Sequence, residues 1–331
     1  MNLNLYDRDL NRISIIGTNY KSCLWIEGYN SVEPFTLELG LTDEFKKKVK
    51  EDYYIGREDR KTLMVIKTIE IKSDAIILKG FQASRVLDDV AFIGTIAENS
   101  IIDESIYNAY NESEKYYNLD YRKSLVNDKY SGQLSYKTIL SLLETMCEEA
   151  DCGFRTIRDG SRLVTELYKP EQNENLIFSE EFGNLKMSNI KISTEKKKNF
   201  AYVLGDDKGT SRKLTTVDLT NGEERREVII DARDIQQAEG ETIGDYERRL
   251  KARGIEKLLE MNQIFAVSMT PSAADFGNKY DLGDIITVRL SDYGISLTAR
   301  VVRFSQKSQR NLVETTVEVG QIVKLKKGGN I

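Results

Sequence analysis

The sequence predicts a mostly β chain with α+β insertions, on three observations. Short segments of β-branched or alternating apolar residues recur from one end to the other. Sizeable stretches of helical period are few. Strands follow strands instead of alternating with helices, which speaks against a parallel α/β sheet and for antiparallel barrels or sandwiches with attached α/β elements.

The first stretch shows this best. Residues 10–16, 23–28 and 34–39 read as strands, and in Phe35-Thr36-Leu37-Glu38-Leu39 the apolar side chains all fall on one face. A short helix over 42–49 follows, with Thr42 as N-cap and Asp43 and Glu44 in its first turn. Residues 62–71 and 75–80 form the clearest hairpin, turning at Ser73-Asp74, and 84–89 read as a helical turn. The acidic, Tyr- and Asn-rich stretch 98–128 holds at best one helix, at 102–110. A stronger helix is expected over 135–150, where Tyr136, Ile139, Leu140, Leu143, Met146, Cys147 and Ala150 make one apolar stripe. Strands at 153–157 and 163–168 flank an Asp159-Gly160 turn.

Strand patterns return at 185–192, 199–204, 213–217 and 227–230. A helix over 243–261 begins with a capping box at Thr242 and Asp245. Ile243, Tyr246, Leu250, Gly254, Leu258 and Met261 share its face, and the glycine there implies a close neighbour. By chain order this helix is expected to cross from a middle module to the last β segment. Strands at 264–269, 285–290, 295–303 and 313–319 precede a basic end at 324–331.

Composition narrows function. The 331 residues suggest two or three domains, and with 3 prolines and no Gly/Ser-rich linker the domains should be tightly joined or interleaved. A net charge of -5 speaks against a dedicated nucleic-acid binder. The chain has no histidine, hence neither the commonest general base nor the commonest metal ligand. No signal peptide opens it and no apolar run approaches a membrane span, so synthesis and assembly in the cytoplasm and no membrane anchor are the expectation. Three cysteines, Cys23, Cys147 and Cys152, make no disulfide framework.

Candidate chemistry is thin. The pairs Glu148/Glu149, Glu180/Glu181 and Asp206/Asp207 could serve a glycosidase, but adjacent charges ordinarily mark solvated faces and turns. Cys147 and Cys152 are wrongly spaced for a zinc knuckle, and Cys147 lies on an apolar stripe. The loop 205–209 lacks the spacing of a P-loop or a calcium-binding loop. Of 17 tyrosines, Tyr53, Tyr54, Tyr116, Tyr117 and Tyr121 could form a binding surface or pack at the ends of β structure. Trp25, within a strand pattern, belongs to a core. No catalytic, cofactor-binding or metal-binding residue is assigned, no cofactor is expected, and partner-binding residues are unknown at this level.

Several segments together resemble a family. The opening Leu5-Tyr6-Asp7-Arg8-Asp9-Leu10-Asn11-Arg12-Ile13 is similar to the start of tail hub proteins of siphophages infecting Gram-positive bacteria, the N-terminal module of tail-associated lysin-like tail proteins. Leu24-Trp25, the strand 35–39, the hairpin at 64–80 and Ser84-Arg85-Val86-Leu87-Asp88 look like its first barrel. The run 225–234 resembles the strand before its long helix, and 280–288 with 294–301 its terminal barrel.

The resemblance implies two tube-type antiparallel β-barrels plus a smaller α/β module and long helices. The corresponding domains are 1–95, a first barrel; 96–180, an α/β module; 181–262, a middle β segment with the long helix; and 263–331, strands completing the second barrel and the basic end. It implies a homotrimer whose six barrels make a ring. That ring would join a distal tail or tail tube protein ring to a tail tip or fibre protein, adapting six-fold to three-fold symmetry, with the tape-measure protein a further partner. Because the chain stops soon after the last β segment, no appended enzymatic domain is expected. Sequence-specific nucleic acid binding is not expected, and the location is a virion tail or phage-tail-like particle assembled in the host bacterial cytoplasm. A wall-degrading tail-tip enzyme using paired carboxylates and a carbohydrate-binding adhesin using the region 107–130 are the competing functions.

Overall fold

A computed structural model describes residues 1–113, 118–206, 212–238, 240–261, 264–270, 275–309 and 312–321. Contacts divide the chain into two units. One comprises 1–188 and 268–319, the other 189–267 and 320–331. The second unit is thus an excursion from the first, which the chain leaves along β14 (Lys186–Ser193) and re-enters along β18 (Ile264–Thr270).

The first unit opens with β1 (Leu3–Tyr6), β2 (Arg12–Gly17), β3 (Ser22–Gly28), β4 (Pro34–Gly40), α1 (Asp43–Lys48), β5 (Tyr54–Arg57), β6 (Leu63–Ile71) and β7 (Ala75–Gln82). A 3-10 turn over Ala83–Asp89 leads to β8 (Ala91–Ile96), α2 (Ile102–Glu112), β9 (Leu119–Arg122), β10 (Leu134–Thr138), α3 (Ile139–Ala150), β11 (Gly153–Asp159), β12 (Arg162–Tyr168) and β13 (Gln172–Ser179). After the excursion come β19 (Ile285–Leu290), β20 (Ile295–Gln309) and β21 (Leu312–Gln321).

In the main sheet of this unit the strands lie in the order β21-β20-β3-β4-β7-β6-β5-β1-β2, with β19 pairing β20 and β13. The two halves of the long β20 serve different partners: Ile295 to Arg300 pair with β19, and Arg303 to Gln309 with β3. The β6–β7 hairpin turns where the Ser73-Asp74 signal placed it, with a bulge between Ile66 and Thr68. Gly80 is required there, because a Cβ would stand 1.8 Å from the Val65 carbonyl oxygen and 2.8 Å from the Phe35 ring.

The expected pair of closed barrels is not what forms. The fold is mixed α+β, mostly strand, and no closed barrel occurs among the described residues. The ladder ends at β2, which pairs with β1 alone. Strand patterns report local alternation, whereas closure depends on which distant strands pair, and alternation does not encode that. The helices are also modest, the longest among the described residues being 18 residues. Among the described ladders three are parallel: β12 with β9, β13 with β19, and β15 with β17 of the second unit.

Below the sheet, α2 and α3 pack with the three-stranded sheet β11-β12-β9 into one apolar core of the first unit. Thr138 caps α3 by accepting the Ser141 amide at 3.2 Å, so the helix begins later than its apolar stripe suggested. Tyr136, expected on that stripe, lies instead on β10. It sits at a bulge with φ 53° and is 79% exposed beside β8, whose Ile93 is 81% exposed.

The second unit contains β15 (Phe200–Leu204), β16 (Leu214–Asp218), β17 (Glu227–Asp231) and α4 (Ile243–Glu260). The sheet order is β16-β15-β17, and α4 lies on it through Tyr246, Leu250 and Leu258. The Thr242 hydroxyl accepts the Asp245 amide at 3.2 Å and donates to its carboxylate at 2.6 Å, so the expected cap forms. A Cβ on Gly254 would meet Val203 and Val217 methyls at 2.7 Å, which is the close approach the sequence implied. Ile243 departs from the expected face and is exposed. The basic stretch 324–331 lies outside the described residues.

Candidate functional site

The most developed polar arrangement lies inside the first unit. Cys23, Trp25 and Glu27 alternate on the inward face of β3 and all three are buried. A carboxylate in that phase must be satisfied where it stands. The Arg60 guanidinium, following β5, donates to both Glu27 oxygens, from Nε to Oε1 at 3.1 Å and from NH2 to Oε2 at 2.8 Å. The Trp25 indole N–H donates to Oε1 at 2.8 Å.

Arg60 is in turn held by the returning chain. Its guanidinium lies 4.8 Å from the Phe276 ring centroid and 5.6 Å from that of Phe304. The two rings stack on each other at 4.1 Å, and Asp281 adds a longer contact at 3.5 Å. Beside this group Arg57 stacks on Trp25 at 5.4 Å and pairs with Asp59.

Burial opposes ionisation of Glu27, but the Arg60 charge and hydrogen bonds, with the Trp25 donor, outweigh it and hold the carboxyl below the usual range. For Arg60 burial acts downward, yet Glu27 carries the net shift upward, so both partners stay charged. With Glu27 sealed from solvent and both oxygens occupied, the pair cannot exchange protons with a substrate. It is a clamp between chain segments.

The carboxylate pairs weighed from sequence do not build a cleft. Glu148 is exposed on α3, and its neighbour Glu149 accepts the Ser131 amide. Glu180 and Glu181 are exposed in the turn after β13, and Asp206 is exposed after β15. Asp207 and the rest of the loop to 209 lie outside the described residues. Among the described residues no group of three or more His, Cys, Asp or Glu side chains is placed to hold a metal ion.

All three cysteines are free and buried. Cys147 and Cys152 owe their spacing to the end of α3. There Asp151 is left-handed at φ 52°, and the Cys152 amide donates to the Cys147 carbonyl at 3.1 Å, the six-to-one bond of a Schellman end. The Cys152 thiol and burial hold the Cys147 thiol well above its usual range, and burial pushes Cys23 up to about 12. Neither Cys147 nor Cys23 is an activated nucleophile.

The tyrosines divide similarly. Tyr54 is buried on β5 and Tyr53 half-buried. Tyr121 is inside the core, with its ring 5.4 Å from that of Tyr110 and its hydroxyl donating to buried Asp103 at 2.8 Å. Asp103 also accepts the Ser124 amide and hydroxyl. Tyr116 and Tyr117 lie outside the described residues. Trp25 is fully buried, as its strand position implied.

Sequence reasoning missed the Glu27–Arg60 clamp. Its signal was a carboxylate in phase with Cys23 and Trp25. The partner, 33 residues away in a charged turn, carried none.

The architecture is that of phage-type tail proteins. The prophage tail protein gp18 from Listeria monocytogenes EGD-e is similar at a TM-score of 0.61 and 13% identity, over 98% of this chain and 95% of that one. The tail protein from Neisseria meningitidis MC58 is similar at 0.64 and 10% identity, over 97% and 96%. The prophage MuSo2 43 kDa tail protein from Shewanella oneidensis is similar at 0.63 and 10% identity, over 96% and 97%. At these identities the likeness is one of fold.

The sequence itself matches the family described as Siphovirus ReqiPepy6 Gp37-like protein over residues 108–321, and the chain belongs to that family. No curated protein matches it significantly.

Proposed function

We propose that the chain is a structural tail-hub or baseplate protein without catalytic turnover, forming a homotrimeric ring. The observation that carries this reading is fold correspondence along nearly the whole chain with three tail proteins. Membership of a siphovirus family supports it. The ring joins a distal tail or tail tube protein ring on one side to a tail tip or fibre protein on the other, and so adapts six-fold to three-fold symmetry. The tape-measure protein is a further neighbour, and nucleic acid passes without sequence-specific contact. The protein acts in a virion tail or phage-tail-like particle assembled in the host bacterial cytoplasm. The narrower kinship with the lysin-like tail proteins of phages infecting Gram-positive bacteria belongs to the same proposal, as does the division of the chain at about residues 95, 180 and 262.

The exposed Glu148, Glu180, Glu181 and Asp206 and the packed Tyr121 favour this reading over wall cleavage or glycan binding. Light scattering of the purified chain, alone and with the distal tail or tube protein of its own gene cluster, tests it. A trimer, or a monomer that becomes trimeric on the partner ring, is expected. A monomer indifferent to the partner at micromolar concentration would overturn it.

A further inference from the structure

The ladder between β3 and β20 joins the beginning of the first unit to the chain returning from the second, and its composition poses a problem. The inward face of β3 is Cys23, Trp25 and Glu27. Opposite them stand Ser308, Gln306 and Phe304. Registers are ordinarily specified by apolar residues that must stay inside, and a polar strand specifies its register weakly. This part of β20, Arg303-Phe304-Ser305-Gln306-Lys307-Ser308-Gln309, has a single large apolar residue.

A slip by two residues keeps every side chain on its own face. In one direction it places Phe304 opposite Trp25 and Gln306 opposite Cys23. An aromatic pair across a ladder is favourable, so this competitor is real. What it cannot keep is the aromatic seat of the clamp. Val302 would face Glu27, and the Phe304 ring would leave Arg60 and the stack with Phe276. The Tyr20 hydroxyl would lose Ser308, which it reaches at 3.1 Å.

We propose that the Glu27–Arg60 pair, seated against Phe304 and Phe276, is a register lock that selects the native pairing of β20 with β3 over the pairing displaced by two residues. Buried ion pairs often add little net stability over apolar packing of equal volume, and their best-attested use is to fix a registry. Four segments converge here, on β3, after β5, before β19 and on β20, so a slip of β20 takes Phe304 away from Arg60 and Phe276 at once.

Cys23 provides the reporter. In the native register it faces Ser308; in the slipped register it faces Gln306. Full-length chains carrying Ser308→Cys or Gln306→Cys are refolded under mild oxidation, and the disulfide to Cys23 is read by peptide mass mapping. With Glu27 and Arg60 intact, the Ser308→Cys chain cross-links and the Gln306→Cys chain does so only in trace. In the Glu27→Leu/Arg60→Met background the Gln306→Cys cross-link rises several-fold to rival the other, while the thermal midpoint holds or rises. A lowered midpoint with an unchanged cross-link pattern overturns the proposal, because the pair then only stabilises. Should that background fail to fold, Glu27→Gln decides. It retains an acceptor for Trp25 and Arg60 but loses the charge, and a mixed pattern supports the lock while a single native pattern overturns it.

Discussion

In the β6–β7 ladder the partners are joined by a tight turn, and Ile69 faces Leu78 while Ile71 faces Ile76. In the β3–β20 ladder the partners are far apart in sequence, Cys23 facing Ser308, and the inward row of β20 is mostly polar. The hairpin can find its register early and locally, with apolar side chains as the guide. The distant ladder meets late, and its guide is a buried charge pair. The same sheet therefore combines one region where errors cost apolar burial with another where they cost the aromatic seat of a buried ion pair.

Removing the charge at one end of the clamp should have the largest effect. Glu27→Ala leaves the Arg60 guanidinium buried with only the longer Asp281 contact, and a loss of about 3–5 kcal/mol in denaturant unfolding is expected. A loss below about 1 kcal/mol would mean that water reaches the site and would break the contrast between the two ladders. The pH dependence has a definite sign. The Glu27 carboxyl is held below its unfolded value of about 4.3, so its contribution is complete above that pH and is lost as pH falls through the folded value. The acid limb of the stability curve should be shallower in Glu27→Gln than in the wild type.

Gly80→Ala probes the hairpin instead. The new methyl meets a backbone carbonyl, which cannot rotate away as a side chain can, and a loss at the upper end of about 1–3 kcal/mol is expected from the denaturation midpoint. Gly254→Ala in α4 meets only valine methyls and recovers about 1 kcal/mol of helix propensity, so its net loss should be smaller, about 1 kcal/mol. A larger loss than at Gly80 would show that the second unit is the more tightly packed. Thr42→Ala removes the α1 cap, with its 3.2 Å bond from the Phe45 amide, and should cost about 1 kcal/mol or less.

What was legible in the sequence is what neighbouring residues decide. Thr42 and Thr242 cap their helices, Ser73-Asp74 turns its hairpin, the hairpin signalled at Asp159-Gly160 forms with its turn one residue later at Gly160-Ser161, and Gly254 marks a close approach. What was not legible depends on distant partners. Alternation in β20 could not reveal that it divides between β19 and β3, nor that the ladder ends at β2 instead of closing. Tyr136 fits a helical stripe, and only the competing cap at Thr138 removes it. Glu27 carries no distinguishing mark in its own strand because the partner that makes it tolerable stands in another turn.

The excursion of the chain through the second unit has a consequence for synthesis. Glu33, just beyond β3, meets Arg303 of β20 across 270 residues. At about 5–20 residues per second the ribosome needs from about fifteen to about fifty seconds to supply that partner. Throughout that interval one edge of β3 is unpaired on a nascent chain, among other copies on the same message. An edge strand with an inward-pointing charge is a poor template for strand addition by neighbours. Glu27, with Arg60 33 residues behind it, therefore keeps a charged pair on the edge while translation continues, and Phe276 and Phe304 cover that pair when they arrive. Nascent chains carrying Glu27→Leu should pellet more readily than wild-type chains when translation is halted before residue 295, and equal pelleting would show that the waiting edge needs no guard.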